Sequence, residues 1–375
     1  MERAYKQNIL LVIRWIVGLL FIFSGLVKAN DPLGLSYKMQ EFFEAWNWYV
    51  FNNYTLAFSL VMNVFEVLAG VAVIIGWRMK LFSWLLLLLI IFFSFLTGYA
   101  LFSGKIKTCG CFGDCLPLTP AQSFTKDIVL LVLILVLFAF RRKITASLNV
   151  FAAITLLIIC IILTGALQAH VLKHLPVVDC LPYKKGNNIL KEMQPPPNAV
   201  QDSVVIVFKY KKNGKISEYT SEDLPADLDS TYEFIDRTDK VVRKGNATPP
   251  IADFALFTLK ENDTTDALLH SNKKYVLLFA KDFSTFNKWH NVEFYTLTDK
   301  LQQENIPLLI VTADKDNAQK VLKNIPAEIL LCDATVIKTA ARVNPTYFAM
   351  NGADIINKFS YADLHKNISR LYTPN

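Results

Sequence analysis

The sequence predicts an all-α membrane bundle of four helices plus a fifth transmembrane helix, followed by a soluble α/β domain with a small β region before it. Three observations carry this. Hydrophobic residues make up 53% of the 375 residues and charged residues only 19%, and the apolar share lies almost wholly before His170. That part contains five apolar runs, and about 20 apolar residues suffice to cross a bilayer as a helix. After Pro249 the pattern changes to short β-rich runs alternating with helical ones, the texture of an α/β layer structure.

The first runs are Ile9–Val27, Leu56–Ile75 and Leu81–Phe102. The fourth, Ile128–Phe140, is short, but Thr119 is a good N-cap and Pro120 a good first helical residue, so the helix is expected to start there. Leu148–Leu167 is the fifth. Arg3 and Lys6, Arg78 and Lys80, and Arg141, Arg142 and Lys143 all fall on one side if the N-terminus is cytoplasmic. The expected location is thus the inner membrane, with the C-terminal domain outside the cytoplasm. The lipid bilayer is the first partner. The net charge of +7 forms no long basic stripe interleaved with aromatics, so nucleic acid is not expected as a partner.

This orientation places Cys109, Cys111 and Cys115 outside the cytoplasm with Cys180 and Cys332, where disulfides form; Cys160 lies inside a span. Between the third and fourth spans, "KTCGCFGDC" (Lys107 to Cys115) holds three of the six cysteines. Within the spans, Glu66 stands near the middle of the second, with Asn63 on the same face, and Arg14 stands near the cytoplasmic end of the first. Charges there are costly and usually have a use, so Glu66 is a candidate proton-handling or ligand-binding group, paired with Arg14, or else a structural hydrogen-bonding group. "FSGLVKA" permits close helix packing through Ser24 and Gly25, and Lys28 is expected to mark the outer interface.

In the soluble part, Pro195–Pro197 reads as a stiff spacer, Ser203–Tyr210 as a strand, and Lys212–Lys215 as a hairpin turn. Tyr232–Ile235 and Lys240–Arg243 are expected to form a second hairpin. Strands are expected at Tyr275–Ala280, Ile306–Thr312, Glu328–Cys332, Tyr347–Met350 and Ile355–Phe359. Helices are expected at Phe286–Glu304, Asn317–Asn324 and Ala334–Ala341, with Ser360 capping a last one. The expected divisions are 1–145 for the four-helix domain, 146–170 for the fifth helix, 171–248 for linker and β region, and 249–375 for the α/β domain.

"ARVNPTYFAMNGADIINKF" resembles the second half of a thioredoxin fold, which would make Pro345 its cis-proline, and "PPIADFALFTL" is similar to the leading segment of peroxiredoxin-like relatives. The segment "AKDFSTFNKW" (Ala280–Trp289) carries no cysteine where those enzymes place theirs. The resemblance therefore implies a binding module for an exported client protein. Cys332 is expected to be buried and inert.

The first 145 residues resemble the DoxX/MauE membrane-protein family in "RWIVGLLFIFSGLVKANDPL", Glu66 and "CGCFG". The MauE branch is associated with maturation of a disulfide-rich enzyme, and its helix arrangement is similar to that of vitamin K epoxide reductase-like proteins. This implies a bundle where thiols and a quinone meet, with Cys109, Cys111 and Cys115 as the exchanging residues and Glu66 and Arg14 beside the cofactor. The cysteines themselves leave alternatives open. Cys109 and Cys111 can exchange with Cys115 resolving, Cys115 can be stapled to Cys180, or three thiolates with His170 or His174 can hold a metal. The corresponding functions are thiol–disulfide exchange with exported clients, or a non-catalytic scaffold with structural disulfides and a partner-binding outer domain.

Overall fold

A computed structural model describes residues 2–106, 110–200, 203–225, 228–243, 245 and 247–372. Among the described residues, five helices are long and apolar enough to cross a membrane: α1 (Glu2–Asn30), α3 (Thr55–Ile75), α4 (Met79–Ser103), α5 (Pro120–Phe140) and α6 (Val150–Lys173). Helix α5 begins at the expected proline. The Thr119 hydroxyl accepts from the Gln122 N–H at 3.3 Å and the Gln122 side chain accepts from the Thr119 N–H at 3.0 Å, a reciprocal cap. Between α1 and α3, in the stretch between the first two apolar runs, lies a further helix, α2 (Pro32–Ala45), followed by a 3-10 turn, Tyr49–Tyr54. Asp31 caps α2 by accepting from the Gly34 N–H at 3.0 Å.

Helices α1 and α3 cross at van der Waals contact of their backbones. A Cβ on Gly70 would lie 2.6 Å from the Gly18 carbonyl oxygen, and one on Gly25 would lie 3.0 Å from that of Asn63. Small residues are therefore obligatory here, as in other close membrane crossings. The shared core is apolar, with Val17, Phe21, Ala72, Leu86, Ile90 and Ile134 buried. Helix α6 joins the bundle along α3, where the Asn63 amide donates to Gln168 Oε1 at 3.0 Å.

The small β region is a sheet of order β2-β1-β3: β1 (Ser203–Lys212), β2 (Lys215–Thr220) and β3 (Glu233–Arg243). Asn213 and Gly214, with φ of 53° and 81°, make the expected turn. The expected second hairpin is a single strand: residues between Ile235 and Lys240 pair straight through with β1. The polar run "DRTDK" looks like a turn but lacks the glycine or asparagine that a tight one needs.

The second sheet has the order β4-β7-β6-β5-β8-β9, from β4 (Phe257–Thr258), β5 (Lys274–Phe279), β6 (Leu308–Thr312), β7 (Glu328–Leu331), β8 (Thr346–Asn351) and β9 (Asp354–Ser360). Strands β5, β6 and β7 are parallel, and β8 and β9 form an antiparallel hairpin. A cis Asn344–Pro345 bond precedes β8, where the thioredoxin resemblance put it. The expected long helix is broken into Phe286–Trp289 and Val292–Gln303, because Asn291 caps the second by accepting from the Phe294 N–H at 3.1 Å. Ser360 caps nothing; its hydroxyl donates to the Asp363 carboxylate at 3.1 Å, and only short turns follow. Two apolar layers cover the sheet, one around Leu277 and Phe348, the other around Leu278 and Trp289.

Gly70→Val should strain the α1–α3 crossing by about 1–3 kcal/mol, as overpacking does. Its thermal unfolding in detergent micelles should occur several degrees below that of the parent protein.

Candidate functional site at the cysteine-loop end of the bundle

Glu66 is fully buried, 0% exposed, and Lys28 is 2% exposed. The Lys28 ammonium donates to Glu66 Oε1. Lys28 is thus a bundle residue and not the interface marker expected of it. It is carried inward because α1 continues one further turn, and its ammonium also lies 5.1 Å from the Phe93 ring centroid. Arg14, expected as the partner of Glu66, points elsewhere. It donates to the carbonyls of Val73 and Ile74 at 2.9 and 2.5 Å, at the C-terminal end of α3. That end lies two helical turns from Glu66, about 10 Å along the axis.

Ser24 connects the ion pair to the cysteine loop. Its Oγ lies 2.9 Å from Glu66 Oε2 and 3.0 Å from the Cys111 carbonyl oxygen, so its one proton serves either. A second, half-buried pair flanks the loop. Lys126 and Asp127 are 2.7 Å apart, and the Thr97 hydroxyl donates to Asp127 at 3.0 Å. Lys126 also lies 4.9 Å from the Phe112 ring centroid.

Cys115 is bonded to Cys180 with their Cα atoms 4.8 Å apart, the pairing that was one of the alternatives. Cys109 lies outside the described residues. Cys111 carries a free thiol, which burial holds above the ordinary thiol range while Lys126 pulls it the other way. Cys332 is buried as expected, and burial pushes its thiol up to about 12. Among the described residues, no group of three or more His, Cys, Asp or Glu is placed to hold a metal ion. His170 and His174 stack on each other at 4.4 Å, and His174 Nδ1 lies 2.8 Å from Asp363.

A cavity of about 770 Å³ opens beside the loop. Its wall is aromatic and aliphatic, with Phe42, Trp46, Phe58, Phe65 and Phe93; α2 supplies one side of it. Its polar end is made by Ser24, Lys28, Thr97, Lys126 and Cys111. An apolar pocket with a few convergent polar groups is the usual form of a small-molecule site.

The α/β domain sits on this same end of the bundle. Arg342, just before the cis-proline, donates to Asp31 at 2.7 Å and to Asp114 in the cysteine loop at 2.5 Å. Lys281, in the cysteine-free segment after β5, donates to the Tyr37 hydroxyl of α2 at 3.1 Å. Burial, and Arg342 nearby, bring the Lys281 ammonium down to about 8. Lys358 pairs with Asp179 of the linker at 2.7 Å.

Residues 6–140 match the family described as methylamine utilisation protein MauE. Residues 204–244 match a domain of unknown function, DUF8463. Protein TlpB of Flavobacterium psychrophilum is 26% identical over 173 residues, covering 43% of this chain and 45% of TlpB. The chain thus spans less than half the length of that curated relative. No solved structure matches the chain.

Breaking a buried ion pair from one side leaves an uncompensated charge and costs roughly 3–5 kcal/mol. Lys28→Met should therefore unfold at markedly lower temperature, and Lys28→Met combined with Glu66→Leu should recover most of the loss in the same measurement.

Proposed function

We propose that this membrane protein takes part in thiol–disulfide exchange with exported proteins, using Cys109 and Cys111 at the outer mouth of the bundle. The observation that carries the reading is that Cys111, Lys28 and Lys126 border one aromatic cavity within the bundle. The α/β domain, held over the same mouth, is the part that receives the client. The N-terminus is cytoplasmic and the site faces the oxidising side of the inner membrane.

Exchange at the C-x-C pair is balanced as follows. A client dithiol gives up two electrons and two protons and becomes a disulfide, while the Cys109–Cys111 disulfide is reduced to two thiols. Reoxidising that pair needs a two-electron acceptor. The cavity fits a membrane quinone, because its wall is apolar and its polar end presents two ammonium groups as hydrogen-bond donors. Bound there, a quinone would take up the two electrons and two protons and leave as the quinol.

The chain's own residues set the conditions for this. Lys28 and Lys126 hold positive charge beside the Cys111 thiol and favour its thiolate. Ser24 fixes the Cys111 carbonyl, and so the loop, against Glu66. Glu66 and Lys28 form a hydrogen-bonded pair able to hold or release a proton next to the cavity. Arg14 has no part in this, since its donors are committed to carbonyls at the other end of α3.

A scaffold role is the second reading, favoured by the Cys115–Cys180 staple and by the absence of cysteine from Ala280–Trp289. The two readings separate in nanodiscs holding the full chain, a reduced dithiol peptide and a short-chain quinone, with quinone absorbance followed over time. Exchange predicts turnover that falls to background in Cys111→Ser. Unchanged turnover in that variant, or full biological function with Cys109→Ser and Cys111→Ser, would favour the scaffold. Because burial holds the Cys111 thiol high, the thiolate fraction grows as pH rises. Alkylation of Cys111 by a maleimide should therefore accelerate between pH 7 and pH 9, by up to about tenfold per unit.

A further inference from the structure

Among the described side chains of the small sheet β2-β1-β3, none is buried, and Val204, Ile216 and Phe234 are exposed. Its two faces differ. One carries Phe208, Tyr210, Tyr219 and Phe234, with the Tyr210 ring 5.7 Å from Phe234 and 6.4 Å from Tyr219. The other carries the Lys209–Glu218 pair at 3.0 Å and the Lys211–Glu233 pair at 3.8 Å. A sheet this small normally needs a covered apolar face to be stable in water. This one gains from being extended.

Strand β3 is an edge, and residues 233–239 along it are all exposed. An edge of this kind offers a row of backbone N–H and C=O groups to any chain able to pair with it. Two register shifts in the β1–β3 ladder leave a regular run between them, residues 236–241. A further strand needs such a run, because a bulge bends the edge away.

The run opens with Asp236-Arg237-Thr238-Asp239-Lys240. Edge charges ordinarily discourage pairing, but this pattern is complementary to its own reverse. Let two copies of β3 lie antiparallel with Thr238 opposite Thr238. Asp236 then stands opposite Lys240, and Arg237 opposite Asp239, on both sides of the two-fold axis. A slip of one residue sets Asp236 against Asp239 in one direction and Arg237 against Lys240 in the other. A slip of two sets Arg237 or Asp239 against itself. Opposed unlike charges stabilise a strand pair, and like charges directly opposite destabilise it. Strand β1 offers these groups no counter-charge: Arg237 stands opposite Phe208 and Asp239 opposite Ile206, and the two bond each other at 3.3 Å.

We infer that two copies of this chain join edge to edge through β3, antiparallel about Thr238, into one six-stranded sheet of order β2-β1-β3-β3-β1-β2. The axis is perpendicular to the sheet, so the aromatic face and the charged face each continue across the junction. The interface uses the same strand from both copies and closes at two. The inference uses no cysteine and stands apart from the exchange reading.

The test uses the full chain, first in its membranes and then in detergent micelles. Thr238→Cys treated with copper phenanthroline should run as a disulfide-linked dimer on a non-reducing gel, because directly opposed residues have Cα atoms about 4.5–5.5 Å apart, within disulfide reach. Ser217→Cys, on the opposite edge strand, should give no more dimer than the unaltered protein. In micelles, sedimentation equilibrium should show a dimer whose dissociation constant rises about tenfold or more in Arg237→Asp, which sets like charges opposite each other. Adding Asp239→Arg to that variant restores the unlike pairs and should return the constant to within about threefold of the original. Because the second change restores association, a misfolded sheet cannot imitate the result. A chain that stays monomeric, a dimer that Arg237→Asp leaves unchanged, a failure of Asp239→Arg to restore it, or equal cross-linking at positions 217 and 238 would each overturn the inference.

Discussion

A lysine and a glutamate that share one proton-rich contact inside an apolar bundle set the layout of everything at the cysteine-loop end. Either charge alone would be costly in hydrocarbon. Together, Lys28 and Glu66 oblige α1 and α3 to keep one register, and the glycine crossing below them allows the backbones to come close enough for the pair to form. Ser24 extends the pair to the Cys111 carbonyl. A buried pair of this kind contributes little net stability against an apolar substitute, but it specifies which groups meet. Here it specifies that the sulfur-bearing loop lies at the polar end of an aromatic cavity.

The α/β domain is positioned by the same end. Arg342 joins Asp31, which caps α2, to Asp114, which lies in the cysteine loop. One guanidinium thereby couples the helix that walls the cavity, the loop that carries the thiols and the strand that follows the cis-proline. The Cys115–Cys180 bond and the Lys358–Asp179 pair fasten the linker to the same place. The end of β5 that leads into the cysteine-free segment Ala280–Trp289 is therefore turned toward the membrane part, with Lys281 and Tyr37 meeting there. This face carries no cysteine, and the cysteine loop of the membrane part lies across from it.

Much of this was legible in the residues. Apolar run length located all five long helices, and the Thr119-Pro120 signal placed the start of α5 correctly although the apolar run itself begins later. Alternation of β-rich and helical texture gave the second sheet nearly strand by strand. Local chemistry misled where a short polar run mimicked a turn, as in β3, and α2 escaped notice because it is too short to span. The site was legible in part. Glu66 and the cysteine cluster stood out by type and setting, and the Cys115–Cys180 pairing was among the alternatives. The partners were not legible, because they are distant in the chain: Lys28 and Glu66 are separated by a whole helix, and Arg342 lies more than two hundred residues from Asp114. Arg14 looked equivalent to Lys28 as a cation in the first span. Only the three-dimensional register decides which of the two reaches the carboxylate.

The central claim is that Cys111 exchanges electrons with whatever occupies the aromatic cavity. The most direct measurement is the redox state of Cys111 in membranes poised with oxidised or reduced quinone, read by differential alkylation and mass spectrometry. The account predicts that Cys111 is protected from alkylation, as a disulfide, when the quinone is oxidised, and becomes alkylatable when it is replaced by quinol. A Cys111 whose alkylation is the same under both conditions would contradict it.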